Sequence, residues 1–515
     1  MRESLLLIAF IMSFVFPALA DCAFTQIATG TWHTVAIASD SAVFAWGLNS
    51  NGQLGTGTTT NSNFPTTVLA SGGVGVLEDI IAISGGGFHT VALRSDGTVW
   101  AWGSNAYGQL GDGSTMSSNV PVGVLDPDGL SYLSDVIAIA AGHNYTIALK
   151  NDGTVWSWGI NDFGQLGNGT TANSLSPVQV LGPGGTGFLT DIIRIATGRN
   201  QTLAIKSDST VWAWGDNDRG QLGDNTGVSK TTPVQVRGTG GVGYLTGIIA
   251  VSAGGGHSHA LKSDGTVWSW GVNTGGLLGD GTTTQRNAPV QVLGTGGTGF
   301  LTDIMAIDAG FQHNSALRSD STVWTWGGNG AGELGDGSTT GRSTPVQVHA
   351  SYGDAGFLTG ICAISAGDSH TVALKPDGTI WAWGLNSRGE LGDSTNVNRN
   401  SPVQTVCPNS GIEEIPSLPA EMTLGVYPNP FNSSCAISAP EGAKIEIYDL
   451  RGKLVATPNA DRSAFVPLNQ GGQNSSATRV QGVIWTPDNE IGSGIYFVKA
   501  EIGDRMITKR VVLIR

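Results

Sequence analysis

The chain has 515 residues, 77 of them glycine, only 13% charged side chains and a formal net charge of -14. That composition suits tight turns and short strands rather than long helices. An acidic surface with no run of lysine or arginine repels phosphate backbones, which excludes nucleic acid as a partner.

The first twenty residues read as an export signal. Arg2 opens the segment, Leu5 to Phe16 supply the apolar stretch, and Ala18-Leu19-Ala20 offers a small-residue cleavage site before Asp21. The apolar run is too short for a spanning helix, so no transmembrane segment is expected once the signal is removed. Asp21 stands where a lipid-attached Cys22 would need a small residue, and a soluble, exported protein is expected. Cys22 lies just before a repeated region and Cys407 just after it. In a closed ring the two would meet at the seam. They then either form a disulfide, favoured by an oxidising compartment, or stay as two thiols. Cys362 takes the place that Ile81 holds in the second copy and is expected in the core, whereas Cys435 has no evident partner.

Residues 24–406 carry seven copies of one unit. Its Trp-Gly step falls at Trp46, Trp102, Trp158, Trp214, Trp270, Trp326 and Trp383, a spacing of 56 residues five times and then 57. A proline keeps the same beat at Pro65, Pro121, Pro177, Pro233, Pro289, Pro345 and Pro402. Two chemically different marks with one period mean repeated supersecondary units, each leaning on its neighbours. In the second copy, Ile80 to Ser84 and His89 to Arg94 read as strands separated by glycines. Asp96-Gly97 is a hairpin turn into a third strand, Thr98 to Trp102, and Pro121 to Leu125 makes a fourth. Four short strands in each of seven units describe a seven-bladed β-propeller. An open solenoid would need atypical end repeats, and here the end copies keep every marker.

Residues shared by all copies serve the fold first. Thirteen tryptophans fill Trp-x-Trp pairs in the third strands and are expected to cover an inter-blade surface. His33, His89, His257, His313 and His370 recur at the repeat period, with Tyr145 and Gln201 in the other two places. Metal ligands must converge on one ion, whereas blade-related positions spread around an axis. The column is therefore expected to hydrogen-bond to neighbouring backbone. Asn49 and its six equivalents are expected to hold the loop that follows them. Asp216, Asp218 and Asp224 lack the spacing of a calcium loop and read as a solvated edge. No nucleophile elbow, phosphate loop or His-Glu-x-x-His helix occurs, so no catalytic residue, metal or cofactor is assigned and the protein is expected not to be an enzyme.

What differs between copies lies in loops. Two free positions follow each repeated Asn and include Tyr107, Phe163, Arg219 and Arg388. A second free pair, just before the histidine column, includes Trp32, Phe88, Arg199 and Phe311. Aromatic and arginine side chains at unconstrained loop sites are what a recognition surface collects, and these eight residues are the candidate partner-binding set. Neutral drift of exposed loops is the alternative.

The pattern Gly-x-x-His-Thr-x-Ala-Leu … Asp-Gly-Thr-Val-Trp-x-Trp-Gly-x-Asn-x-x-Gly-Gln-Leu-Gly resembles the regulator of chromosome condensation repeat over residues 24–406, which implies a seven-bladed propeller. The family includes exchange factors, a plant photoreceptor and a secreted enzyme inhibitor, so fold alone does not fix function. An export signal removes the chain from cytosolic GTPases, and a tryptophan cluster of the photoreceptor kind is lacking. After a linker at 407–423, the region 424–515 contains Val426-Tyr427-Pro428-Asn429-Pro430-Phe431-Asn432, Lys444 to Gly452 and Gly494-Ile495-Tyr496-Phe497. It resembles the carboxy-terminal sorting domain of type IX secretion and the Ig-like domain of hook-capping proteins, both small β-sandwiches. That resemblance implies delivery to the cell surface or medium by the secretion machinery. The resulting expectation is an all-β, exported, non-enzymatic propeller that binds a protein or glycan through loops on one face. A secreted enzyme inhibitor, a structural or adhesive surface module, and an enzyme with its site in the central opening are the alternatives.

Overall fold

The computed structural model describes residues 23–351 and 354–406, together with strand segments of the C-terminal region. The chain divides into two compact units, Met1–Ser410 and Gly411–Arg515. In the first, seven four-stranded antiparallel sheets follow one another, each made of four consecutive strands in simple meander order. The second blade consists of Ile80–Gly85, His89–Arg94, Val99–Gly103 and Ser118–Gly123. The first strands of successive blades lie against one another, and Phe24–Thr29 packs on Ala363–Ala366 to complete the ring.

Each blade follows from its residues. At the hairpin, Gly97 takes φ +80°, and Asp96 Oδ1 accepts hydrogen bonds from Thr98 N at 3.0 Å and Thr98 Oγ1 at 2.6 Å. The second strand His89–Arg94 is buried along nearly its whole length because sheets cover both of its faces. Pro121 sits inside the outermost strand, which begins at Ser118, three residues earlier than the proline suggested. That strand has a sheet neighbour on one side only, so the missing N–H costs no ladder bond.

The two members of each tryptophan pair are buried to different depths, and in three blades both aromatic rings at these positions pack on one inter-blade cluster, as Trp268 and Trp270 do. Trp46, Trp102 and their five equivalents are at most 1% exposed. Trp102 sends its indole N–H to the Gln53 carbonyl of the preceding blade at 2.9 Å. Trp100, two residues earlier, is half-buried and donates to Thr98 Oγ1 of its own blade at 3.2 Å, with the Arg94 guanidinium 6.0 Å from its ring centre. Position 102 thus belongs to the joint between blades and position 100 to the rim. Cys362 is also not core: it is exposed, as Ile81 is, because this position falls at the bulge that opens the first strand.

The seam carries the indole bond found at every other joint, the histidine–threonine bond found at three others, and a hydroxyl pair of its own. Trp46 Nε1 donates to the Glu390 carbonyl at 2.9 Å, Thr34 Oγ1 meets His370 Nε2 at 3.0 Å, and Thr29 Oγ1 meets Ser365 Oγ at 2.8 Å. Cys22 and Cys407, the expected clasp, and the signal segment lie outside the described residues.

The second unit contains two antiparallel sheets, as a small Ig-like sandwich requires. One comprises Gly425–Tyr427, Cys435–Pro440 and Val480–Trp485. The other comprises Leu454–Ala456, Lys444–Asp449, Gly494–Ile502 and Arg505–Leu513.

Candidate binding faces

The histidine column is a wheel that locks each blade to the next. His33 Nε2 lies 3.0 Å from Thr90 Oγ1, His89 Nε2 3.0 Å from Thr146 Oγ1, and His313 Nε2 2.8 Å from Thr371 Oγ1. Thr90 Oγ1 donates its single proton to the Gln53 carbonyl at 2.8 Å, so the imidazole must be the donor and carries its proton on Nε2. The same carbonyl accepts the Trp102 indole, which ties three side chains of two blades to one loop. Where His is absent the duty persists: Tyr145 OH donates to the Gln201 carbonyl at 2.5 Å, and Gln201 Nε2 to the Gly254 carbonyl at 3.1 Å. Most partners are thus hydroxyls of the next blade rather than the backbone expected. Burial lowers the pKa of His33 and His257 to about 4, and that of His89, His313 and His370 to about 3, so the wheel is neutral at pH 7. The imidazole approach also explains a glycine: a Cβ on Gly86 would fall 2.3 Å from His89 Cε1.

The antiparallel order puts the turns before the second strands and the long loops after the third strands at one end of the ring. Hairpins and inter-blade links occupy the other end. At the first end, backbone bonds run from blade to blade around the axis: Thr31 N to Gly86 O at 3.1 Å, Arg199 N to Gly254 O at 3.1 Å, and Asp368 N to Thr31 O at 3.3 Å. They leave an axial cavity of about 100 Å³ lined by glycines with His143, Arg199, Phe311 and Asp368. Pockets for small substrates run to roughly 300–1,000 Å³, so this cavity has room for a few waters.

Two of the eight candidates, Arg199 and Phe311, line that cavity, and Phe88 and Trp32 flank it beside the lining His143. Trp32 and Phe88 meet edge-to-face at 5.8 Å, Phe88 meets His143 at 5.6 Å, and the Arg199 guanidinium stands 5.3 Å from the Phe311 ring centre. Burial raises the Asp368 carboxyl and lowers His143, with the Arg199 charge reinforcing the latter. The other four stand on the outer loops of the same end. Tyr107 and Phe163 are each 40% exposed, Arg388 is exposed, and Arg219 pairs with Asp218 at 3.6 Å. These loops are fixed from below. Asn161 Oδ1 accepts Leu166 N at 2.9 Å, its Nδ2 donates to the Thr170 and Ala172 carbonyls, and Gln165 Oε1 accepts Phe163 N at 2.9 Å.

Asp224 is not part of a solvated edge. It is largely buried, accepts Asn217 Nδ2 at 2.9 Å and pairs with Lys230 at 3.5 Å. Arg286, Arg342 and Arg399 repeat that pair with Asp280, Asp336 and Asp393. One carboxylate is unique to its blade: Asp308 replaces the serine of Ser84, Ser252 and Ser365. Its oxygens accept Ser252 Oγ at 3.0 Å and Ala366 N at 2.8 Å, so both serve blade joints. Among the described residues, no group of three or more His, Cys, Asp or Glu is placed to hold a metal.

The opposite end carries residues that the strand-by-strand reading passed over. Tyr132, Phe188, Tyr244, Phe300 and Phe357 are 50%, 54%, 51%, 54% and 51% exposed. Each pairs through an isolated bridge with the end of the preceding outer strand, as Phe188 does with Leu181. The recurring Gly-Phe-Leu-Thr step, as at Gly187 to Thr190, was the signal available in the sequence.

Fold and joints together define a closed seven-bladed propeller with an appended export module. Models of the regulator of chromosome condensation (RCC1) repeat match residues 40–93, 96–149 and 152–205, and the RCC1-like domain matches 183–423. The chain belongs to the RCC1 repeat family. It is 30% identical over 377 residues to the ultraviolet-B receptor UVR8 of Arabidopsis thaliana, covering 73% of this chain and 80% of that one. It is also 30% identical to the human E3 ubiquitin-protein ligase HERC2, over 69% of this chain but only 7% of the ligase. The crystal structure of human WBSCR16 superposes with a TM-score of 0.57 at 25% identity, covering 69% of this chain and 87% of that one. Prp20p of Saccharomyces cerevisiae gives the same TM-score at 21% identity, covering 76% and 89%. The secretion system C-terminal sorting domain matches residues 425–470, which addresses the protein to the cell surface or the medium. No helix among the described residues is long and apolar enough to cross a membrane.

Proposed function

We propose that the protein is an exported, non-enzymatic binding propeller that grips a protein partner with the loop end of its ring. The observation that carries this reading is the set of Trp32, Phe88, Phe311 and Arg199 at and beside the axial cavity, seated on a rigid wheel of blade-to-blade bonds. Aromatic and arginine side chains held without loop freedom lose little entropy on association, which is the chemistry of interface hot spots. Tyr107, Phe163, Arg219 and Arg388 extend the contact outward, and a ring of loops supplies the ~800 Å² per partner that a stable interface buries. A protein of the same fold, yeast Prp20, has been crystallised with Kap60 bound. The test is saturable capture from the culture medium by the full exported chain. Changing Trp32, Phe88 and Phe163 together to alanine is expected to abolish capture while leaving the melting temperature within a few degrees. Capture undiminished by the triple change would overturn the assignment to this end.

A further inference from the structure

We propose that the opposite end of the ring, built from the inter-blade links, is a multivalent site for a neutral polysaccharide. Tyr132, Phe188, Tyr244, Phe300 and Phe357 are its stacking platforms. The argument starts from the exposure of these rings. These rings rest partly on their own blades, Tyr132 against Trp100 at 5.5 Å and Phe357 against His349 at 5.8 Å, but unlike the enclosed Trp46 column they leave about half their surface to solvent. A ring under no requirement would not stay aromatic in five of the six links between blades while the loops at the other end vary freely. Near-identical half-exposure, 50% to 54%, gives five equivalent platforms around one circle. A single globular partner presents one patch, whereas equivalent sites in a ring match a ligand that itself repeats.

The neighbours of three of the rings complete the chemistry. Two residues on from Tyr132, Phe188 and Phe300 stands an exposed or half-exposed hydroxyl that bonds the next carboxylate: Ser134 Oγ to Asp135 Oδ2 at 3.4 Å, Thr190 Oγ1 to Asp191 Oδ2 at 3.1 Å, and Thr302 Oγ1 to Asp303 Oδ2 at 3.0 Å. After Tyr244 and Phe357 the hydroxyl is followed by Gly247 and Gly360. Asp191 and Asp303 hold φ of +61° and +62°, and their carbonyls accept Ser207 N and Ser319 N from the hairpin of the same sheet. The hydroxyl–carboxylate pair is therefore held in place before any ligand arrives. A flat apolar ring beside fixed acceptors suits a pyranose, whose C–H face stacks while its vicinal hydroxyls donate. Charge selects among glycans. Several cations at this end are engaged, Lys206 with Asp191 at 3.6 Å, Arg318 with Asp303 at 3.2 Å, and Arg237 4.9 Å from the Tyr244 ring centre, whereas Arg194 is exposed. With a net charge of -14 behind them, these sites disfavour anionic polymers.

The experiment is affinity electrophoresis of the full exported chain in gels cast with hydroxyethyl cellulose, with β-mannan, or with anionic pectate. Retardation by at least one neutral polymer is expected, and none by pectate. Because the platforms act together, Phe188→Ala alone should weaken binding about three- to tenfold, and Phe188→Ala with Tyr244→Ala and Phe300→Ala by more than thirtyfold. Tryptophan at the same three positions should retain binding, which separates ring loss from misfolding. Trp32→Ala with Phe88→Ala, at the other end, should leave retardation unchanged. Normal mobility in both neutral gels would overturn the proposal. So would retardation that survives the triple alanine change, or retardation by pectate alone.

Discussion

Acidification offers the sharpest test of the blade joints. His33, His89, His257, His313 and His370 are enclosed and donate from Nε2, so protonating Nδ1 would place an uncompensated charge in each joint. Their folded pKa values fall to about 3 or 4, from an ordinary 6.5. A base with a depressed folded pKa contributes stability that is complete above pH 6.5 and is lost as pH falls toward the folded value. In that window the unfolded chain binds protons that the folded chain refuses. Each such histidine steepens the decline by about 1.4 kcal/mol per pH unit, and by pH 5 each has removed about 2 kcal/mol. Five together remove about 10 kcal/mol, comparable to the whole stability of an ordinary domain. His259, lowered for the same reason, adds to the effect. Urea titrations at pH 7, 6 and 5, followed by tryptophan fluorescence, would measure the slope. His89→Gln installs the residue that blade four already uses at Gln201, and should reduce the slope by close to one proton. Stability that stays flat between pH 7 and 5, or a slope unaltered in His89→Gln, would refute the neutral wheel.

Three further outcomes are expected. Trp102→Ala removes a fully enclosed ring and an indole bond to Gln53, and should cost about 3–5 kcal/mol in urea unfolding; Trp100→Ala, at the rim, should cost far less. Glu390 keeps one enclosed carboxylate oxygen without a partner, and burial raises its pKa. Its ionised form therefore penalises the fold above the folded pKa, and Glu390→Gln should raise stability at pH 7 by about 1–2 kcal/mol. That gain should shrink as pH falls and the wild-type carboxyl takes up its proton, which calorimetry at two pH values would show. Asn161→Ala deletes the bonds to Leu166, Thr170 and Ala172, and hydrogen exchange should quicken in the loop from Asp162 to Asn173 while the strands stay protected.

The sequence by itself determined the repeat count, the four strands of each blade, the loop-holding role of Asn49 and its equivalents, and the export signature of the tail. Those features depend on local chemistry and period, which survive in one dimension: Asp96-Gly97 turns the chain wherever it stands, and Trp46 recurs because every joint needs a ring. Only the tertiary structure decided how deeply each member of a tryptophan pair enters the joint. The difference between Trp100 and Trp102 is how far each reaches toward the preceding blade, and a strand read alone carries no neighbour. The same holds for Cys362, exposed because a bulge turns its position outward, and for Thr90, an unremarkable strand residue until the His33 imidazole of another blade arrives. The contacts of Trp32 with Phe88 and of Arg199 with Phe311, and the circle from Tyr132 to Phe357 at the other end, likewise exist only in the assembled ring. Residues 56 apart in the chain become neighbours because the ring makes the repeat period a rotation.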